Sequence, residues 1–131
     1  MYQNILIPLA YQPGHHPDAE IKAVKAIAAP GARITLLHVI GPVPEFRTEQ
    51  ATSKPALAQV ITHDLERVAE FFVQAEVKVL EGDPADQILD LASGIGVDCI
   101  VLAPHRTDAG AYGSTADKVV RAAPCTVHLV R

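Results

Sequence analysis

Hydrophobic positions along this chain follow two rhythms, short continuous runs and stripes that recur every three or four residues. Residues 4–9 (Asn-Ile-Leu-Ile-Pro-Leu) form a continuous apolar run, as a strand covered on both faces requires. A turn-rich segment follows, with Pro13-Gly14 and Pro17. Asp18 is placed to cap a helix whose Ile21, Val24 and Ala28 recur at helical spacing. Pro30-Gly31 is expected to end that helix, and residues 33–40 read as the second strand. Over residues 56–72, Leu57, Val60, Ile61, Leu65, Val68 and Phe72 trace one helical stripe, with Glu66, Arg67 and Glu70 largely outside it. Residues 76–80 alternate and predict a third, less buried strand. The clearest helix start is Gly82-Asp83-Pro84-Ala85-Asp86. Asp83 serves as N-cap, Pro84 has its φ set for the first helical position, and Asp86 suits the positive end of the dipole. Ile88, Leu91 and Ala92 carry this helix inward until Gly94 and Gly96 stop it. A buried strand over residues 97–102, a helix opened by Gly113-Ser114 and a last strand over residues 125–130 complete the chain. Five strands alternating with four helices predict an α/β fold: a mostly parallel sheet, right-handed crossovers and helices on both faces.

Composition narrows this further. The 131 residues make one domain, 1–131, with 49% hydrophobic residues but only 5% aromatic ones and no Trp. A core of Ala, Val, Ile and Leu suits helices packed on a parallel sheet. A net charge of −4 and the absence of any basic run exclude the clustered basic face of a nucleic-acid binder. No apolar stretch reaches the roughly 18 residues of a membrane-spanning helix, and the N-terminus enters a strand without a signal-peptide pattern. A cytoplasmic location is therefore expected. Cys99 and Cys125 sit in or beside buried strands and read as small apolar side chains, with a regulatory disulfide as the alternative that a reducing compartment disfavours.

Enzyme signatures are absent: there is no Gly-x-Ser-x-Gly elbow, no Walker glycine–lysine loop and no dinucleotide fingerprint after the first strand. Gly94-Ile95-Gly96 precedes a strand and reads as a turn. His15-His16 have no Asp, Glu or Cys at ligand spacing, which points to a polar loop and not a metal site. His38 and His128 fall within strands as core-edge residues, and His63 is expected on a helix surface. Residues 41–55, with Pro42, Pro44 and Pro55, are the longest irregular stretch and are expected to lie near a binding site.

Taken in order, several segments resemble the universal stress protein family. They are Asn4-Ile5-Leu6-Ile7-Pro8, Leu37-His38-Val39, Gly82-x-Pro84-x-x-x-Ile88 and Val97-Asp98-Cys99-Ile100-Val101. Gly113-Ser114-x-Ala116-Asp117-Lys118-Val119 and the ending from Ala123-Pro124-Cys125 to Arg131 continue the match. The resemblance implies a doubly wound five-stranded domain, usually a homodimer paired through its last strand, here Val127, His128, Leu129 and Val130. Many members bind ATP and a large group does not. Binders carry an aspartate at the end of the first strand and a Gly-x-x-Gly, nine residues, Gly-[Ser/Thr] pattern after the fourth. This chain has Ala10 at the aspartate position, Ala103 and Arg106 at the first two glycines, and six residues between Arg106 and Gly113; only Gly113-Ser114 is intact.

The resemblance thus implies a candidate adenine-nucleotide site at the switch point between the first and fourth strands. Pro8, Leu9, Ala10 and Val39 would hold the base and sugar, Gly113, Ser114 and Thr115 the phosphates, and His105 or Arg106 would replace the lost loop contacts. ATP, ADP or AMP, with Mg, are the candidate cofactors. Two readings of the helix start remain open. Ser114 with Asp117 makes a capping box, or Gly113 lets free amides of residues 114–116 meet a phosphate. Arg106 likewise either pairs with phosphate or with Asp108. The functional expectation is a non-catalytic stress-response regulator that binds an adenine nucleotide. The alternative is a nucleotide-free dimeric scaffold acting through an unknown protein partner, and a slow hydrolase ranks last because no water-activating residue can be named.

Overall fold

Parallel strands buried on both faces need apolar runs, and the chain supplies them over residues 5–9, 34–40 and 99–102, whereas residues 75–81 alternate in a less buried strand. The computed structural model describes residues 1–10, 17–41, 54–103 and 113–131. Its elements are β1 (Tyr2–Pro8), α1 (Asp18–Ile27), β2 (Ala28–Ile40), α2 (Lys54–Ala69), β3 (Ala75–Glu81), α3 (Pro84–Gly94), β4 (Cys99–Leu102), α4 (Ser114–Ala122) and β5 (Thr126–Leu129). The strands form one sheet in the order β3-β2-β1-β4-β5, and every pairing is parallel.

Side-chain alternation divides the core in two. Ile5 and Ile7 of β1, Ile34, Leu36 and Ile40 of β2, and Cys99 and Val101 of β4 meet α1 and α2 on one face. Leu6, Leu37 and Ile100 meet Ala85, Ile88 and Ala92 of α3 and Ala116 and Val119 of α4 on the other. The sheet is therefore doubly wound. The chain leaves β1 toward β2 over one face and leaves β4 toward β5 over the opposite one, so β1 and β4 flank a topological switch point. Among the described residues no helix is long and apolar enough to cross a membrane.

The amino end of the sheet is tied by side chains. The Asp98 carboxylate accepts from the amides of Gln3 (2.9 Å) and Asn4 (3.0 Å), and the Asp98 amide donates to the Asn4 carbonyl at 2.9 Å. Asn4 Nδ2 donates in turn to the carbonyls of Ile95 (2.7 Å) and Gly96 (3.2 Å), fixing the turn that leads from α3 into β4. Gly96 occupies left-handed backbone, φ 67°, which is open to glycine at little cost.

Several local expectations need correction. Asp18 is the first residue inside α1, not its cap; the N-cap is Pro17. The same helix stops at Ile27, earlier than expected, and Ala28 is already extended (φ −76°, ψ 137°). Pro30 bars the residue before it from helical backbone and offers no amide to a continuing helix. The five residues 28–32 join β2 through an irregular register, since Tyr2 pairs with Ala28 but Asn4 with Arg33, and Gly31 (φ 76°) sits within this bulge. Helix α2 ends at Ala69, so Phe72 lies past its end. Turn bonds from Phe71 to Val68 (3.1 Å) and Phe72 to Ala69 (3.0 Å) fold Phe72 back onto the core. The Asp83 cap and Pro84 start of α3 stand as expected, with Asp83 Oδ2 accepting from the Asp86 amide at 3.1 Å. His63 is exposed on α2 as expected.

The disulfide alternative fails on register. Cys99 pairs with Thr126, not Cys125, and the two thiols belong to the two opposite faces of the sheet. Burial is also the first cause that pushes the Cys99 thiol up, to about 11; nearby Cys125 and Asp98 add to the shift. Cys125 is raised for the same leading reason. The residues 42–53, His15-His16, His105, Arg106 and Asp108 lie outside the described residues.

Candidate functional site

In an open parallel sheet, the carboxyl ends of the strands at a switch point form the crevice in which ligands bind. Here those ends are Pro8 to Ala10, Val39 and Ile40, and Leu102 and Ala103. Pro8 pairs with Leu37, and Leu6 pairs with Ile100, so extending that register by two places sets Pro8 level with Leu102. Pro8 continues the Leu6 side of β1, Val39 packs with the α3/α4 cluster, and α4 starts on that same face. The candidates Pro8, Val39, Gly113, Ser114 and Thr115 are therefore brought to one edge and one face. Leu9 differs: its side chain is buried in the opposite cluster, so only its backbone faces the edge. Ala10 is exposed and carries no carboxylate.

Helix α4 begins with Gly113 as N-cap. Of the two readings of this helix start, the capping box of Ser114 and Asp117 does not form. Ser114 is already helical, and the Asp117 carboxylate pairs with Arg121 Nε at 3.0 Å, one turn further on. A charged partner at i+4 competes with the return bond to the helix start and is the better match for a carboxylate. Among the described residues, no side chain accepts from the amides of residues 114–116, while the Asp117 amide closes the first turn on the Gly113 carbonyl at 3.2 Å. Gly113 itself adopts φ −65° and ψ 163°, a conformation open to any residue. What glycine contributes here is the missing Cβ beside a row of amides at the positive end of a helix, a geometry suited to an anion.

One residue of the site was read only as a core-edge histidine. Half-buried His38 places Nδ1 2.7 Å from the Leu9 carbonyl, while the Leu9 amide donates to the Leu37 carbonyl at 2.7 Å. A carbonyl only accepts, so Nδ1 carries the proton in this contact. The available signal was its place two residues before the end of a parallel strand, at the edge where ligands bind. At the opposite sheet margin, among the described residues, β5 pairs with β4 alone. Val127 and Leu129 pack on the α3/α4 cluster, and Val130 donates inward to the Leu102 carbonyl at 2.7 Å. Alternation then turns the backbone groups of Val127 and Leu129 outward.

Residues 1–131 match the universal stress protein family as a whole. A universal stress protein of Thermus aquaticus is 33% identical over 144 aligned positions, covering 100% of both chains. One from Methanothermobacter thermautotrophicus is 30% identical, covering 100% of this chain and 97% of its own. Among solved structures, the hypothetical protein MJ0577 superposes with a TM-score of 0.78 at 25% identity, over 99% of this chain and 96% of that one. The same fold recurs in a family protein of Arabidopsis thaliana with AMP bound (17% identity, TM-score 0.68, 98% and 90% covered). It recurs again in the Archaeoglobus fulgidus universal stress protein with dAMP (16%, 0.65, 99% and 98%). With its five-stranded parallel sheet, its β1/β4 switch point and its glycine-led fourth helix, this chain belongs to the universal stress protein family.

Proposed function

We propose that this protein binds an adenine nucleotide at the β1/β4 switch point and works as a cytoplasmic, non-catalytic stress-response regulator. The observation that carries the reading is the start of α4. Its first-turn amides meet no capping side chain among the described residues, and Gly113 adds no Cβ beside them. Relatives of the same fold that hold AMP and dAMP support the ligand class. Val39 and the backbone of Leu9 and Ala10 would flank the base and sugar, with Mg accompanying a di- or triphosphate. Nucleotide turnover is not part of the proposal, because no residue of the described site is placed to activate water.

Calorimetric titration of Gly113→Asp with AMP and Mg-ATP tests this. The added carboxylate sits where the phosphate would, and affinity is expected to fall at least about 100-fold from the combined bulk and charge. Aspartate is at least as good an N-cap as glycine, so thermal stability should be kept or raised. A wild-type affinity in this variant would sink the reading.

The second reading, a nucleotide-free dimer acting through protein contacts, is supported by the outward backbone edge of β5. Lysines at Val127 and Leu129 would strike the core they help to cover, so the better probe is Val127→Pro. It removes an outward amide and leaves the inward ladder to β4 in place. Sedimentation should then show a monomer; a persistent dimer would exclude pairing through β5.

A further inference from the structure

The β1–β2 ladder ends in an unusual way for two strands that both continue past the last pair. The Leu9 amide donates to the Leu37 carbonyl, which by alternation turns the Val39 backbone toward β1 as well. A ladder continuing by one bond would give the Leu9 carbonyl to the Val39 amide. Instead that carbonyl takes the Nδ1 proton of His38 at 2.7 Å. Resting on the nucleotide reading, we infer that His38 is a positioning residue of the site. By occupying the Leu9 carbonyl it stops the ladder one bond short and keeps the Val39 amide available at the mouth of the crevice. Ala10 makes this matter more, since it presents no carboxylate to a ligand and leaves β1 only backbone with which to bind.

The test compares His38→Leu, which removes the donor, with His38→Asn, whose amide nitrogen stands close to where Nδ1 was. Titration with AMP, well below the unfolding temperature of each variant, should show affinity lower by about tenfold in His38→Leu, the scale of one lost neutral contact. The asparagine variant should stay within about threefold of wild type, again by the scale of a retained hydrogen bond. In the ligand-free proteins, hydrogen exchange at the Val39 amide should slow in His38→Leu, as the ladder closes onto it, and not in His38→Asn. A purely structural role would lower the melting temperature and move neither readout. Wild-type affinity in folded His38→Leu, or equal losses in both variants, would overturn the positioning role. Wild-type protein that takes up no AMP would defeat the nucleotide reading instead, and Val39 exchange would then decide alone whether His38 stops the ladder.

Discussion

The two ends of the sheet are built on opposite plans. At the amino end, Asp98 takes two backbone amides of β1, and Asn4 gives both protons of its amide to the turn before β4. Side chains there consume backbone groups and tie β1 to β4. At the carboxyl end, the helix α4 opens on a glycine, the nearby carboxylate looks to Arg121, and a histidine halts the ladder. Among the described residues, side chains there leave backbone groups open. A fold that places both strands of its switch point under tight control at one end can leave the other end unsatisfied for a ligand, because the two sets of bonds lie at opposite ends of the same strands. The difference predicts that variants of the amino end change stability without changing binding, and variants of the carboxyl end do the reverse.

The largest effect expected at the amino end is that of Asp98→Ala. It strips the acceptor from two amides, one of them half-buried, and each charge-assisted bond is worth roughly 1.5 kcal/mol. A loss of about 3 kcal/mol should appear in urea unfolding. The AMP affinity of the folded protein should be unchanged. A variant that keeps its stability but loses binding would break the division between the two ends.

Cys99, the first residue of β4, gives the same end a pH signature. Its folded thiol is raised to about 11 from an ordinary value of 9.0, chiefly by burial, so between those values the unfolded chain releases its proton first. The unfolded state therefore binds fewer protons, and stability falls as pH rises from about 9 to about 11. Two units correspond to a contribution on the order of 2–3 kcal/mol, most of it lost by pH 11. Denaturation across that range should show the decline in wild type and a shallower one in Cys99→Ala, which starts from a lower stability because it opens a small cavity. An equal slope in both proteins would assign the decline to other groups.

Legibility in the sequence follows the range of the interaction. The start of α3 could be read because Asp83, Pro84 and Asp86 act within four residues, and the α2 stripe because periodicity is local. The end of α1 could not. Pro30 bars Ala29 from the helix, but Ala28 is a good helix former, and what draws it into β2 is pairing with Tyr2, distant in sequence. The capping box failed because two local motifs share Asp117 and the sequence does not say which one wins. Within the site, Gly113-Ser114 was legible as a contiguous pattern. The bond from His38 to Leu9 spans 29 residues and leaves no local mark, so its role emerged only from the strand register. Likewise the opposite facing of Cys99 and Cys125 depends on which residue of β5 stands beside β4.

The smallest effect expected tests a place where polar groups depart from the plan of the amino end; among the described residues, Asn4 Oδ1 is another. Thr35, level with Leu6 in the middle of the sheet, is 0% exposed, and among the described residues its hydroxyl has no hydrogen-bond partner. A hydroxyl moved from water to such a site loses solvation with nothing in return, a cost on the order of 1 kcal/mol or more. Valine has nearly the same shape and suits a strand interior, so Thr35→Val should stabilise by about 1 kcal/mol while leaving AMP affinity unchanged. Because Thr35 lies on the same face as Val39 and α4, a gain in stability with constant affinity would separate fold from site even where they share a layer. A loss of stability would instead show that the hydroxyl is satisfied in solution.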